Sequence, residues 1–200
     1  MDYQPPAEQA APPWRVFDMA PTLVLGIGNI LLKDEGVGVH VVQALHNAET
    51  PPGVELYDGG TFGIDLIDTI AGRKRVIVVD AVQADKPPAT VLRFTDKELR
   101  IADCGLRIET EAPGRAGGFY PHACVGLDPQ FAIRNSQSLS LHQVGLLETL
   151  LMARQLGCAP EEVVIFGIVP KDMSPGLELS EEVAAVVPKV VELVLAELRR

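Results

Sequence analysis

Cysteine is scarce in this chain, and what there is does not pair. Cys104, Cys124 and Cys158 are odd in number and lack the C-x-x-C spacing of zinc sites or redox pairs. Reduced thiols are the simplest account of them. Basic residues are also in short supply: 17 Lys and Arg stand against 27 Asp and Glu, for a formal charge of −10. With no basic footprint to release the counterions of a polyphosphate, nucleic acid is a poor partner. No apolar run is long enough to span a bilayer. Residues 1–21 lack a basic segment followed by a long apolar one, so no secretory signal is read there and a cytoplasmic protein is expected. There is no internal repeat.

What is present is apolar material in a regular alternation. Hydrophobic residues make up 47% of 200, enough for one domain with a full core. Residues 1–20, rich in Pro and Ala, read as a flexible extension ahead of a single domain over 21–200. Short apolar runs at 22–27, 54–57, 76–79, 90–94 and 163–168 predict strands, the fourth of them at an edge. Amphipathic stretches at 34–47, 62–71 and 140–156 predict helices between them. Ser140 with Gln143 forms a capping box, and Gly157 sits where a left-handed C-terminal residue belongs. Ser180 opens a last helix, which Pro188 is expected to kink or divide. The pattern predicts an α/β fold, a three-layer α/β/α arrangement around a twisted, mostly parallel five-stranded sheet. A stretch from about 101 to 137, rich in Gly, Pro and charge, reads as a long functional loop.

Chemistry-bearing residues cluster at strand ends. The first strand runs into Gly26-Ile27-Gly28-Asn29, followed by Asp34-Glu35-Gly36. This suggests a dinucleotide fingerprint, but Leu31 stands where G-x-G-x-x-G needs its third glycine. Gly26, Gly28 and Asn29 are read as structural turn residues. Two carboxylates at a helix start would repel a pyrophosphate and attract a cation. Alternatively, Asp34 caps the helix and Glu35 complements its dipole. Asp80 follows the third apolar run, and carboxyl ends of parallel strands line the ligand crevice, so Asp80 and Glu35 are expected on one edge. Asp58 ends the second strand before Gly59 and Gly60, as a turn, a substrate contact or a ribose ligand. His142 falls in the first turn of its helix, whose positive end favours the neutral imidazole. His122 and Cys124 are two soft ligands without companions. Two carboxylates and one imidazole from three elements could form an open site, and divalent nickel takes such N and O donors.

The sequence resembles the nickel-iron hydrogenase maturation endopeptidases. The resemblance is carried, in the family's order, by Leu25-Gly26-Ile27-Gly28-Asn29-Ile30-Leu31-Leu32-x-Asp34-Glu35-Gly36, Asp58-Gly59-Gly60-Thr61-x-Gly63, Val79-Asp80-Ala81, Ser140-x-His142-Gln143-x-Gly145-Leu146, Gly167-Ile168-x-Pro170 and Gly176-x-x-Leu179-Ser180. It implies nickel contacts at Glu35, Asp80 and His142. The nickel arrives in the substrate, a hydrogenase large-subunit precursor whose C-terminal tail is removed. The extra start and the longer loop at 101–137 depart from the family pattern.

No Ser or Cys sits in a nucleophile setting such as G-x-S-x-G. Water is the expected attacker, with Glu35 or Asp80 as general base or with substrate-borne nickel activating the carbonyl or the water. The resemblance places the chain with the aspartic-type peptidases, although a pepsin-like pair of Asp motifs is absent. The rival readings are a nickel carrier that cuts nothing, a nucleotide-dependent enzyme and, more remotely, a hydrolase of peptidyl-tRNA.

Overall fold

The computed structural model describes residues 19–61, 66–95 and 141–200, with side chains from residue 145 onward in the last stretch. Expectations about residues 1–18, about 62–65 and about the loop at 101–137 lie outside the described residues, as do Cys104, His122, Cys124 and Ser140.

Five strands form one sheet: β1 (Thr22–Ile27), β2 (Val54–Gly60), β3 (Arg75–Ala81), β4 (Val91–Thr95) and β5 (Glu162–Ile168). Their spatial order is β2-β1-β3-β5-β4. β1 pairs in parallel with β2 and β3, and β3 with β5, while β4 closes the edge antiparallel to β5. The helices are α1 (Val37–Leu45), α2 (Ile67–Ile70), α3 (Leu141–Gln155) and α4 (Glu181–Leu198).

Strand side chains alternate between two apolar layers, as a pleated sheet covered on both sides requires. Val24, Ile77, Val79, Val164 and Phe166 pack with Val41, Val42 and Leu45 of α1 and with Val183, Val190 and Val194 of α4. Leu23, Leu25, Val76, Val78, Val163 and Ile165 pack with Ile70 of α2 and with Leu146, Leu150 and Ala153 of α3. The three-layer α/β/α expectation is met.

Two local expectations are corrected. Asp34 does not cap α1; it lies in a 3-10 turn (Lys33–Gly36), and the helix begins one residue after Gly36. Pro188 does not divide the last helix, which runs unbroken through it. Ala184 and Pro188 are both exposed, so water can take the carbonyl that the proline leaves without a donor. Ser180 opens α4 as expected, at its N-cap, with no side-chain capping bond.

The amino-terminal edge of the sheet is held by ions. Glu197, 3% exposed, accepts from Arg75 at 2.5 Å, from Arg93 Nε at 2.9 Å and from Arg200 at 3.2 Å. Hydrogen bonding from Arg93 holds its carboxyl below the usual range against the cost of burial. A group with a depressed folded value stabilises the fold above its unfolded value of 4.5, and that stability fades as pH falls through the folded one. Glu197→Ala should cost about 3 kcal/mol at pH 7, because Arg75 and Arg93 both lose their buried counter-charge and Arg75 keeps only the exposed Glu162. Urea denaturation should show the gap between wild type and variant closing as pH falls below 4.5.

Candidate active site

The strand order reverses between β1 and β3: β2 lies on one side of β1, and β3 with the later strands on the other. In an open parallel sheet this is the switch point, where the loops leaving the two strands diverge and open a crevice at their carboxyl ends. The 3-10 turn after β1 carries Glu35 into that crevice, and β3 ends there with Asp80.

Close backbone packing brings the two elements together. A Cβ on Gly38 would fall 2.2 Å from the Val79 carbonyl oxygen and 2.3 Å from that of Ile27. Only glycine lets the start of α1 press so closely on both strands. Gly28 has φ +141°, and a Cβ there would lie 1.9 Å from the Glu35 carbonyl oxygen. Gly26 similarly faces the Gly38 carbonyl at 2.3 Å. These glycines serve chain packing, and the turn is filled by its own backbone where a dinucleotide turn would approach a pyrophosphate. Asn29 shapes the turn with its side chain, whose Oδ1 accepts from the Leu31 amide at 3.0 Å.

Asp80 is 1% exposed, within the hydrogen-bonded ladder of β3 and β5 and opposite Gly167. Neither of its carboxylate oxygens meets hydrogen-bond geometry with a described residue. Burial pushes its carboxyl up to about 8; the nearby Ala81 backbone amide opposes the shift and the Glu35 charge adds to it. Glu35 is therefore near enough for the two charges to interact, and its Oε2 is buried. An acid kept protonated near neutral pH by an apolar setting is costly, and such groups gather at functional sites.

The neighbouring Asp34 is the opposite case. It is fully buried, but its Oδ2 accepts from the amides of Lys171 and Asp172, each at 2.9 Å, and from the Ser180 hydroxyl at 2.8 Å. Its Oδ1 accepts from the Ser180 amide at 2.6 Å. Burial alone would raise its pKa, but these bonds outweigh it and the net shift is downward. Asp34 is thus a tie between the first turn and the segment before α4. Nothing local in the sequence signals this role, since every partner lies more than 130 positions away, at 171, 172 and 180.

Parity along β3 puts Asp80 on the same face as Val76 and Val78, the face covered by α2 and α3. The carboxyl end of α3 lies at the amino edge of the sheet, where the Cys158 carbonyl accepts from the Gly72 amide. Its first turn, with His142, therefore starts at the opposite edge; the His142 side chain lies outside the described residues. Among the described residues no three His, Cys, Asp or Glu side chains are gathered as a metal site. Asp58 is exposed at the end of β2, where its Oδ1 accepts from the Gly60 amide at 2.9 Å. Gly60 takes φ +51°, and its carbonyl accepts from Gly28. Asp58, Gly59 and Gly60 thus build the turn that braces the first loop. Among the described residues no helix is long and apolar enough to cross a membrane.

An open sheet with a strained, buried acid at its switch point is the architecture of an α/β enzyme acting on a ligand laid across the strand ends. Comparison with known proteins shows which kind. The hydrogenase maturation protease family matches residues 39–103 and 129–197. The hydrogenase 2 maturation protease of Escherichia coli K12 is 32% identical over 179 residues, covering 88% of this chain and 90% of the relative. The hydrogenase expression/formation protein HupD of Rhizobium leguminosarum bv. viciae is 33% identical, covering 88% of this chain and 73% of the relative. The solved structure of the hydrogenase-maturating endopeptidase HybD from E. coli superposes with a TM-score of 0.68 at 32% identity, covering 89% of this chain and 91% of that one. The chain belongs to the hydrogenase maturation protease family, and it is a peptidase.

Proposed function

We propose that this peptidase removes the C-terminal extension of a nickel-iron hydrogenase large-subunit precursor that already carries its nickel, as the last step of maturation. The observation that carries the reading is Asp80: a buried acid with no well-formed hydrogen bond, beside Glu35, at the switch point of a chain in this family. Such a carboxyl lacks a partner that a divalent cation would supply. Glu35, Asp80 and His142 are the proposed contacts to the nickel of the substrate, an N and O donor set suited to that ion. Arrival of the charged centre displaces the Asp80 proton and offsets the cost of ionising it there.

Water attacks the scissile carbonyl. Nickel, as part of the substrate, supplies Lewis-acid polarisation. Glu35 or Asp80 takes the proton from the water and returns it to the leaving amine. An aspartic-type route remains the second reading, favoured by the single proton that a raised Asp80 holds next to Glu35. The cytoplasm is the proposed compartment.

The test is a two-component reaction followed by mass spectrometry. Nickel-loaded precursor should lose its tail, and precursor prepared without nickel should stay intact. Efficient cutting of the metal-free precursor would remove nickel as the recognition signal. Nickel binding with no cutting under any condition would leave a carrier instead of a protease.

A further inference from the structure

Few large apolar side chains are exposed among the described residues. Three of these, Ile30 at 43%, Leu31 at 61% and Leu177 at 64%, sit on two loops far apart in sequence that lie against each other. The Gly176 amide donates to the Leu31 carbonyl at 2.9 Å, and the Lys33 amide to the Gly176 carbonyl at 3.0 Å. Leu32 and Gly176 form a parallel bridge between them. Asn29 braces the first loop from below, its side chain accepting from the Leu31 amide and its carbonyl from the Leu32 amide. Lys33 has φ +46°, a left-handed conformation that a lysine seldom takes. Its ammonium is tied to Asp172 at 2.5 Å.

A backbone bonded this thoroughly cannot fold its leucines under, so they are held outward as a lip. Strain of this kind persists where the surroundings enforce it and often marks a working surface. The lip is continuous with the carboxylate crevice, since Leu31 and Glu35 lie on the one connection between β1 and α1, and Asp34 between them binds the second loop at Lys171, Asp172 and Ser180. The adjacent charge is acidic: Glu178, Glu181 and Glu182 are exposed, and the cations described nearby, Lys33 and Lys171, are already paired with Asp172 and Glu182.

We infer that the lip formed by Ile30, Leu31 and Leu177 docks the protein substrate, receiving apolar side chains of a precursor segment whose neighbours are basic. The inference rests on the proteolytic reading above and names how the precursor is held. Apolar contact with the leucines supplies affinity, and the acidic surround selects the sign of the flanking charge. Because the lip is already ordered, docking immobilises little on the enzyme side.

The experiment uses the full chain with nickel-loaded precursor, measuring cleavage kinetics and, separately, precursor binding by calorimetry. The double variant L31S/L177S should raise KM and Kd about tenfold while kcat stays within about twofold of wild type. Leu156→Ser, a leucine 59% exposed at the opposite edge, should change neither constant. L31M/L177M should recover wild-type KM, and Glu178→Lys should raise KM on its own. Unchanged KM and Kd in L31S/L177S, or a loss confined to kcat, would overturn the docking role. So would concentration-dependent dimerisation of the wild type that the double variant abolishes without touching KM, since the lip would then cover a second copy of the chain. If wild type binds the precursor but never cuts it, the proteolytic reading fails, and the calorimetric comparison still decides the lip.

Discussion

Asp80→Asn is expected to stop tail removal completely and, in the same sample, to raise the melting temperature of the free enzyme. The two effects have one cause. In the folded chain the Asp80 carboxyl is pushed up to about 8, from 3.8 when unfolded, because its charge would be buried without solvation. A folded value above the unfolded one means that the native state holds a proton the unfolded state has released. Stability therefore falls as pH rises from 3.8 and levels off only above about 8. Asparagine does not ionise, so the variant escapes that fall. The gain should grow by several kcal/mol between pH 4 and pH 8, with about 5 kcal/mol as the upper bound set by linkage, and should vanish near pH 4. Differential scanning calorimetry across pH 4–9, beside mass spectrometry of the precursor, checks both halves. A variant that still cuts, or one whose stability tracks wild type at every pH, would show that Asp80 is not the strained acid of the site. His142→Ala should likewise abolish cutting, without the pH-dependent gain.

Asp34→Ala should produce the largest loss of stability of any single change in the rim, about 3–5 kcal/mol. The substitution leaves the part-buried amides of Lys171, Asp172 and Ser180 without this acceptor and frees the segment before α4 from the first turn. The loss should depend on pH in the opposite sense from Asp80. With its value held below 3.8, Asp34 stabilises the fold above that pH, and the contribution disappears as pH falls through its folded value. Asp34→Asn should cost less, because a single amide oxygen can still accept the three donors that now meet Oδ2, although its NH2 would confront the Ser180 amide. Guanidinium denaturation of both variants separates these outcomes; equal costs for Ala and Asn would mean that the bonds to Oδ2 contribute nothing.

These two aspartates show where reading the sequence stops. Both follow or precede apolar strands, and both are expected near the crevice. Local context makes Asp34 a helix cap and Asp80 an acid at a strand end. Only the fold reveals that one is saturated with four hydrogen bonds from the far end of the chain while the other is buried with none of good geometry. Pro188 teaches a similar lesson. The rule that proline interrupts helices assumes a carbonyl with nowhere to turn, and exposure of that side of α4 removes the assumption. Lys33 gave no signal of its left-handed backbone, because the bridge to Gly176 that holds it there is a contact between distant segments.

Strands were the most legible elements. β1 lies at Thr22–Ile27, where a nearly continuous apolar run placed it, and β3 and β5 extend their apolar runs by a residue or two. Burial on both faces writes itself into composition, so the layer order of an α/β sheet can be read from periodicity alone. The order β2-β1-β3-β5-β4 and the crevice it creates between β1 and β3 came from tertiary pairing, which no local pattern encodes. The sequence by itself determined which residues are apolar, where the chain turns and which acids stand at strand ends. The tertiary structure decided which of those acids is solvated by the protein and which is not, because hydrogen-bond partners are assigned by distance in space, and a carboxyl's chemistry follows its partners.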